Sequence, residues 1–196
     1  DMFKTMIEDW RNKWSNPTLP FLFVQLANFN PRLSTPAQSG WAELREQQAS
    51  ALSLPNTGMA VAIDVGEWND IHPLDKESVG ERLAKNALHK VYGKDIVYSG
   101  PMATKVTLKG SHVWINFKYQ GGGLSTSGTN LTGFEIADES GVFHWAKAEI
   151  KGERVQVWHP DVKHPSAVRY AWADNPAANL YNKDGLPAAP FRFNLD

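Results

Sequence analysis

Apolar positions along this chain follow two grammars, and the change between them falls near residue 98. In residues 1–14, Phe3, Met6, Ile7, Trp10 and Trp14 recur at helical spacing, with Glu8, Asp9, Arg11 and Lys13 off that face. Asn16-Pro17 stops this helix. Residues 19–27 are an apolar run without alternation, the pattern of a parallel strand covered on both faces. A loop rich in Asn, Pro and Ser follows over 28–40, and loops of that length in compact domains tend to be functional or mobile. A second helix is expected over 41–52, with Trp41, Leu44, Gln48 and Leu52 on one face, and a second buried strand runs to Val65. A third helix is expected from Leu74 to Tyr92, with Val79, Leu83, Ala84, Ala87, Leu88 and Val91 inward and Gly93 as its C-cap. Strand, helix, strand, helix in this order predicts right-handed crossovers and a doubly wound parallel sheet.

After Tyr98-Ser-Gly-Pro101 the period becomes two. Lys105–Leu108 and His112–Phe117 alternate across Lys109-Gly110-Ser111, which predicts a hairpin. Further short strands are expected at 133–137, 144–150, 154–158 and 168–171, with a Gly/Ser/Thr loop at 121–130, and together they argue for a β-sandwich. From Trp172 onward the chain reads as a polar, proline-rich tail packed across other elements. The expected organisation is an α/β segment over 1–97 and a β-rich, sandwich-like domain over 98–196. Two strands are too few for a complete doubly wound sheet, which usually has about 4 to 6, so the rest of that sheet is expected to come from elsewhere. The chain opens directly into a helix, as though something preceded it.

Composition narrows the function classes. The net charge of −1 gives no electrostatic case for nucleic acid or an anionic membrane. No apolar run reaches the roughly 20 residues of a membrane span. The absence of cysteine excludes disulfides and zinc–thiolate sites without fixing a compartment. Eight tryptophans suit either rigid β-packing or the stacking of sugars.

The candidate chemistry lies where the second strand ends, in Val61-Ala-Ile-Asp-Val-Gly-Glu-Trp-Asn-Asp-Ile-His72-Pro73. Open α/β sheets place their ligands at the C-terminal ends of parallel strands. A carboxylate beside His72 would fix the ring tautomer and stabilise the imidazolium while the other nitrogen takes a proton from a nucleophile. Asp64, Glu67 and Asp70 all lie near His72 in sequence, with Asn69 among them. On residues alone, a loop histidine bonded to the first turn of the next helix is the competing reading.

Gly66-Glu-Trp-Asn-Asp-Ile-His-Pro73 resembles the last motif block of the SGNH (GDSL-type) hydrolases, in the version carried by the sialate O-acetylesterase family. Phe23–Ala27, Trp41–Glu46 and Leu54–Met59 resemble the preceding strand, helix and strand entry of those enzymes. Val168–Pro176, Asn179–Asn182 and Gly185–Arg192 resemble the family's C-terminal signature, so the likeness spans nearly the whole chain. It implies the C-terminal part of an SGNH-type doubly wound domain, followed by a β-sandwich-like domain. It implies His72 as general base and then general acid, with Asp70 as the orienting acid. Family members commonly carry that acid three residues before the histidine, where this chain has Asn69, so Asp64, Glu67 or a backbone carbonyl stay open for the role.

The family's nucleophilic serine block is absent here and would lie upstream; Ser125, Thr126 and Ser127, in the Gly-rich loop, are poor substitutes. The resemblance therefore implies a part-enzyme that hydrolyses O-acetyl esters of sugars, either sialic acid or an acetylated polysaccharide such as xylan. Its partners would be that acetylated glycan and an N-terminal portion carrying the serine. No metal or cofactor is implied, and the location would be periplasmic or secreted. The competing reading is a non-catalytic carbohydrate-binding β-domain with a remnant hydrolase segment, stacking sugars on Trp114, Trp145, Trp158 and Trp172. Burial of those tryptophans would count against it. His112, His144, His159 and His164 raise a metal reading, with His159-Pro-Asp161 and His164 as ligands, against that of an ordinary solvated turn.

Overall fold

The computed structural model describes residues 2–195; Asp1, the first residue of the expected opening helix, and Asp196 lie outside the described residues. Helix α1 (Met2–Lys13) is closed by Ser15 at φ 50°, with Asn16 N–H on the Arg11 carbonyl at 2.9 Å and Ser15 N–H on that of Asn12 at 3.0 Å. Those are the paired bonds of a Schellman ending, and Pro17 prevents continuation. Strand β1 (Phe21–Val24) runs parallel to β2 (Thr57–Ala60), in register from Phe21 opposite Thr57 to Val24 opposite Ala60. Between them lie α2 (Gly40–Ser50), capped by the Ser39 hydroxyl on Ala42 N–H, and one 3₁₀ turn (Ala51–Ser53). Helix α3 (Lys76–Lys90) follows, capped by Asp75 on Ser78 N–H.

The helices exist where the periodicity puts them, but their faces differ from expectation. Helix α2 buries Ala42 and Arg45, while Leu44 is 49% exposed. Helix α3 begins at Lys76 rather than Leu74, and its fully buried residue is Asn86; Leu88 and Val91 stand open, as does Ala84. Asn86 Nδ2 spans the carbonyls of Arg82 (2.9 Å), Tyr98 (3.3 Å) and Met59 (3.4 Å), so a polar side chain carries the helix-to-strand contact. The close approach needs Gly58, where a Cβ would lie 2.7 Å from Asn86 Oδ1 and 2.8 Å from Leu22. A period of 3.6 locates a helix, but it treats a satisfied Asn or Arg as surface.

The β-rich part is built from two four-stranded antiparallel sheets. One orders β3 (Met102–Lys109), β4 (His112–Lys118), β9 (Arg154–Trp158) and β8 (Lys147–Lys151) as β3-β4-β9-β8. The other orders β12 (Phe191–Asn194), β10 (Ala167–Tyr170), β6 (Phe134–Ala137) and β7 (Phe143–Trp145) as β12-β10-β6-β7. A small pair joins β5 (Leu124–Thr126) to β11 (Leu180–Asn182). Alternation does its expected work: Val113, Ile115, Phe117, Val155 and Val157 point into the core, against Ile136, Val168 and Phe191.

Three expectations are corrected. The expected strand at 144–150 is two strands separated at Ala146, which belong to different sheets. The Gly/Ser/Thr stretch contains strand β5, because its partner β11 comes from far along the chain. The tail is core rather than cover: Trp172, Leu180, Ala188, Ala189 and Phe191 are buried, and it supplies β11 and β12. The chain is thus a mixed α/β structure whose sheets are mostly antiparallel, with one parallel pair. Met59, Val61 and Ile63 belong to the same hydrophobic cluster as the sandwich strands, so the end of β2 is seated on the β-rich part.

Candidate active site

Strand β2 ends its ladder at Ala60, but Val61, Ala62 and Ile63 stay buried, and this apolar anchor fixes where the following loop emerges. Asp64 is the first polar residue, and α3 captures it. The Arg82 guanidinium donates to Asp64 Oδ1 at 2.6 Å and Oδ2 at 2.8 Å, and also to the Val61 carbonyl at 2.7 Å. The Tyr181 hydroxyl adds a third donor to Asp64, at 3.3 Å. A bidentate, mostly buried pair of this kind does structural work: three donors from Arg82 and Tyr181 already hold the carboxylate.

Beyond Asp64 the loop is strapped to the end of β1. Gly66 N–H donates to Asn28 Oδ1 at 2.7 Å, and Asn28 Nδ2 returns a bond to the Gly66 carbonyl at 3.2 Å. Asn30 N–H holds the Trp68 carbonyl at 2.9 Å. Asn28 and Asn30 are held in turn by Asn175, through 3.0 Å and 2.8 Å bonds. Only glycine fits at position 66, where a Cβ would sit 2.3 Å from the Asn28 carbonyl oxygen.

At the loop's tip, Asp70 Oδ1 accepts the backbone N–H of His72 at 2.8 Å, which makes a local Asx turn. The same oxygen lies 3.3 Å from His72 Nδ1. The helix cap is Asp75, so Asp70 has no capping duty on α3. The His72 side chain is 84% exposed, and its Nε2 has no partner among the described residues. Asp70 is thus the carboxylate beside His72, whose ring is open to solvent. Asn69 is exposed, and Glu67 pairs with Asp70 only through a backbone bridge. Glu67, Trp68 and Asn69 line an open cleft of about 560 Å³, together with Asn28, Arg32 and Asn175.

Sequence reasoning missed the residue that assembles this region. Arg45, fully buried in α2, donates to four carbonyls: Leu26 (2.8 Å), Ala27 (2.7 Å), Ala173 (2.6 Å) and Asp174 (2.8 Å). Burial lowers its pKa to about 10, against the pull of Asp174, so it stays charged at neutral pH. Asp174 completes the joint, bonded to Ser39 at 2.5 Å and Asn30 at 3.0 Å. Arg45 and Asp174 lie within Trp41–Glu46 and Val168–Pro176, two of the segments singled out above; a charged residue at an apolar-phase helix position was the available signal.

The other candidates take structural roles. The Ser125 hydroxyl donates to the Asn182 carbonyl at 2.9 Å within the β5–β11 pair. His144 faces Asp138 at 3.1 Å, His164 faces Glu139 at 3.9 Å, and His159 Nδ1 accepts the N–H of Asp161 at 3.2 Å, a turn closure. Among the described residues no group of three or more His, Asp or Glu is arranged for a metal. Trp172 is buried and Trp114 and Trp158 are partly so; Trp145 is 38% exposed. No described helix is long and apolar enough to cross a membrane.

The chain is 32% identical to the sialate O-acetylesterase of Mus musculus, 30% to that of Rattus norvegicus and 29% to that of Homo sapiens. Each match covers 96–97% of this chain but only 40–41% of the relative, so the chain spans about two fifths of their length. Its structure superimposes at a TM-score of 0.92 on a crystal structure of a carbohydrate acetylesterase from Xanthomonas citri, at 46% identity, over 97% of this chain and 45% of that one. No family model matches.

Proposed function

We propose that the chain, similar over 97% of its length to two fifths of the sialate O-acetylesterase of Mus musculus, is a C-terminal portion contributing the proton-transfer half of a carbohydrate O-acetylesterase. The observation that carries this reading is the Asp70–His72 pair, with Nδ1 3.3 Å from the carboxylate and Nε2 open, on a loop leaving a parallel strand. A serine supplied by the N-terminal portion would lose its proton to His72 Nε2 as its oxygen attacks the acetyl carbonyl. The sugar oxygen would leave with that proton from the imidazolium, and the acetyl group would stay on the serine. Water, deprotonated by the same nitrogen, would then release acetate and restore the serine. Asp70 would hold the Nδ1–H and stabilise the transient charge, its Oδ1 lying 3.3 Å from that nitrogen.

The parallel pair β1–β2 then belongs to a larger SGNH-type sheet completed by the N-terminal portion. Exposed apolar residues on and beside the helices support that reading: Met2 and Trp10 on α1, Trp14 just past its end and Leu44 on α2 are from 46% to 90% exposed. The substrate is an O-acetylated sugar, and the location implied is outside the cytoplasm. The test is His72→Ala, assayed with the nucleophile-bearing portion present. The expected result is a kcat lower by roughly 10³-fold or more, with thermal stability nearly unchanged because the ring is exposed. Near-normal turnover would mean that another base operates.

A further inference from the structure

The cleft beside the candidate catalytic loop does not end at that loop. Arg32 and Asn175 line it, and the same two residues line a second, more apolar cleft of about 260 Å³ on the sandwich side. That second cleft runs from Leu33 past Thr132 and Phe134 to Trp145 and Ala146. Of the four tryptophans weighed as sugar platforms, Trp145 alone lines a cleft described here. It is 38% exposed, and its indole N–H donates to the Ser34 carbonyl at 2.9 Å, which fixes the ring against the long 28–40 loop. Arg32 makes no hydrogen bond or ion pair among the described residues, so its guanidinium is free to bind a ligand that lies across both clefts.

We propose that this second cleft is a distal sugar subsite, holding a neutral ring of the glycan one or two units away from the ring that bears the acetyl group. It rests on the O-acetylesterase reading for the identity of the ligand. An immobilised indole offers an amphipathic surface that suits the C–H face of a pyranose, and costs little ordering on binding because the ring is already held. Hydroxyls at the ring's edge need hydrogen-bonding groups, and in this otherwise apolar cleft Arg32 offers unpaired donors, while Thr132 Oγ1, which donates to the Ala177 carbonyl, can still accept. The shared residues make the two clefts one path, so an extended substrate reaches the sandwich while its acetyl group stays at the His72 loop. The β-rich part is thereby a specificity element for oligosaccharides over single sugars.

The experiment compares binding of unacetylated xylohexaose and 3′-sialyllactose with binding of their monosaccharides, by calorimetry on this chain and on two variants. At least one oligosaccharide should bind the unaltered chain about tenfold more tightly than its monosaccharide. Trp145→Ala should remove that gain. Trp145→Phe, which keeps a ring but loses the bond to Ser34, should retain most of it. The proposal is overturned if neither oligosaccharide shows the gain, if Trp145→Ala leaves it intact, or if Trp145→Phe loses as much as Trp145→Ala, since the tryptophan would then only anchor the loop. These measurements involve no ester cleavage. Loss of esterase activity in the His72→Ala test and loss of the oligosaccharide gain are therefore independent outcomes.

Discussion

Asp70 Oδ1 makes two contacts with His72, accepting its backbone N–H and lying 3.3 Å from its Nδ1. An amide oxygen accepts the first as well as a carboxylate does, but it neither stabilises an imidazolium nor imposes the same tautomer. Asp70→Asn should therefore keep the loop and KM, and lower kcat by roughly 10³-fold. Asn69→Ala, at an exposed position, should change kcat less than about twofold. Side-by-side steady-state kinetics with the nucleophile supplied check both, and a large loss at Asn69 would transfer the orienting role. Asp64 stayed open for the role on the sequence, behind Asp70. Its capture by Arg82 and Tyr181 is what removes it, because those donors lie 18 and 117 residues away.

The loop between β2 and α3 is held by backbone geometry more than by side-chain packing. Gly66 lets the loop press on Asn28, and Asn28, Asn30 and Asn175 form a ladder of amide bonds across three segments. Gly66→Ala should destabilise the chain by about 1–3 kcal/mol, since the nearest atoms are backbone and cannot turn aside. It should also displace Trp68 and the His72 tip, and so lower kcat/KM together with stability. Urea unfolding and kinetics on the same variant check this; an unchanged midpoint would mean the loop yields freely. The long 28–40 loop shows the same economy, tied by Trp145, Arg169 and Asp174 to the β-rich part.

Across the molecule, the buried pair Glu135–Arg169 links neighbouring strands of one sheet, with Nε 2.6 Å from Oε2 and the same arginine donating to the Ala37 carbonyl. Burial raises the Glu135 carboxyl from an ordinary 4.5 to about 7, against the opposing pull of Arg169. The unfolded chain releases this proton near 4.5 and the folded one near 7, so between them the unfolded state is favoured progressively. Stability should fall as pH rises from about 4.5 to about 7, then level off. Melting temperatures at pH 5 and 7.5 should show this fall, and Glu135→Gln should flatten it; equal slopes in both proteins would exclude Glu135 as the source.

Local patterning by itself located the three helices, the first parallel strands and most of the alternating later strands, but not β5, β11, β12 or the break at Ala146. It also marked the Asp70–His72 loop, because a strand end rich in carboxylates around one histidine is legible without coordinates. Only the tertiary structure decided the helix faces, the burial of the tail and the division of the acids. Arg45 and Asn86 look like surface residues until distant carbonyls arrive to satisfy them. The stretch after Trp172 looks polar, yet it is covered because β5, β6 and β10 need partners and a lid. Such outcomes depend on hydrogen-bond partners far apart along the chain, and no periodicity in a local window contains that information.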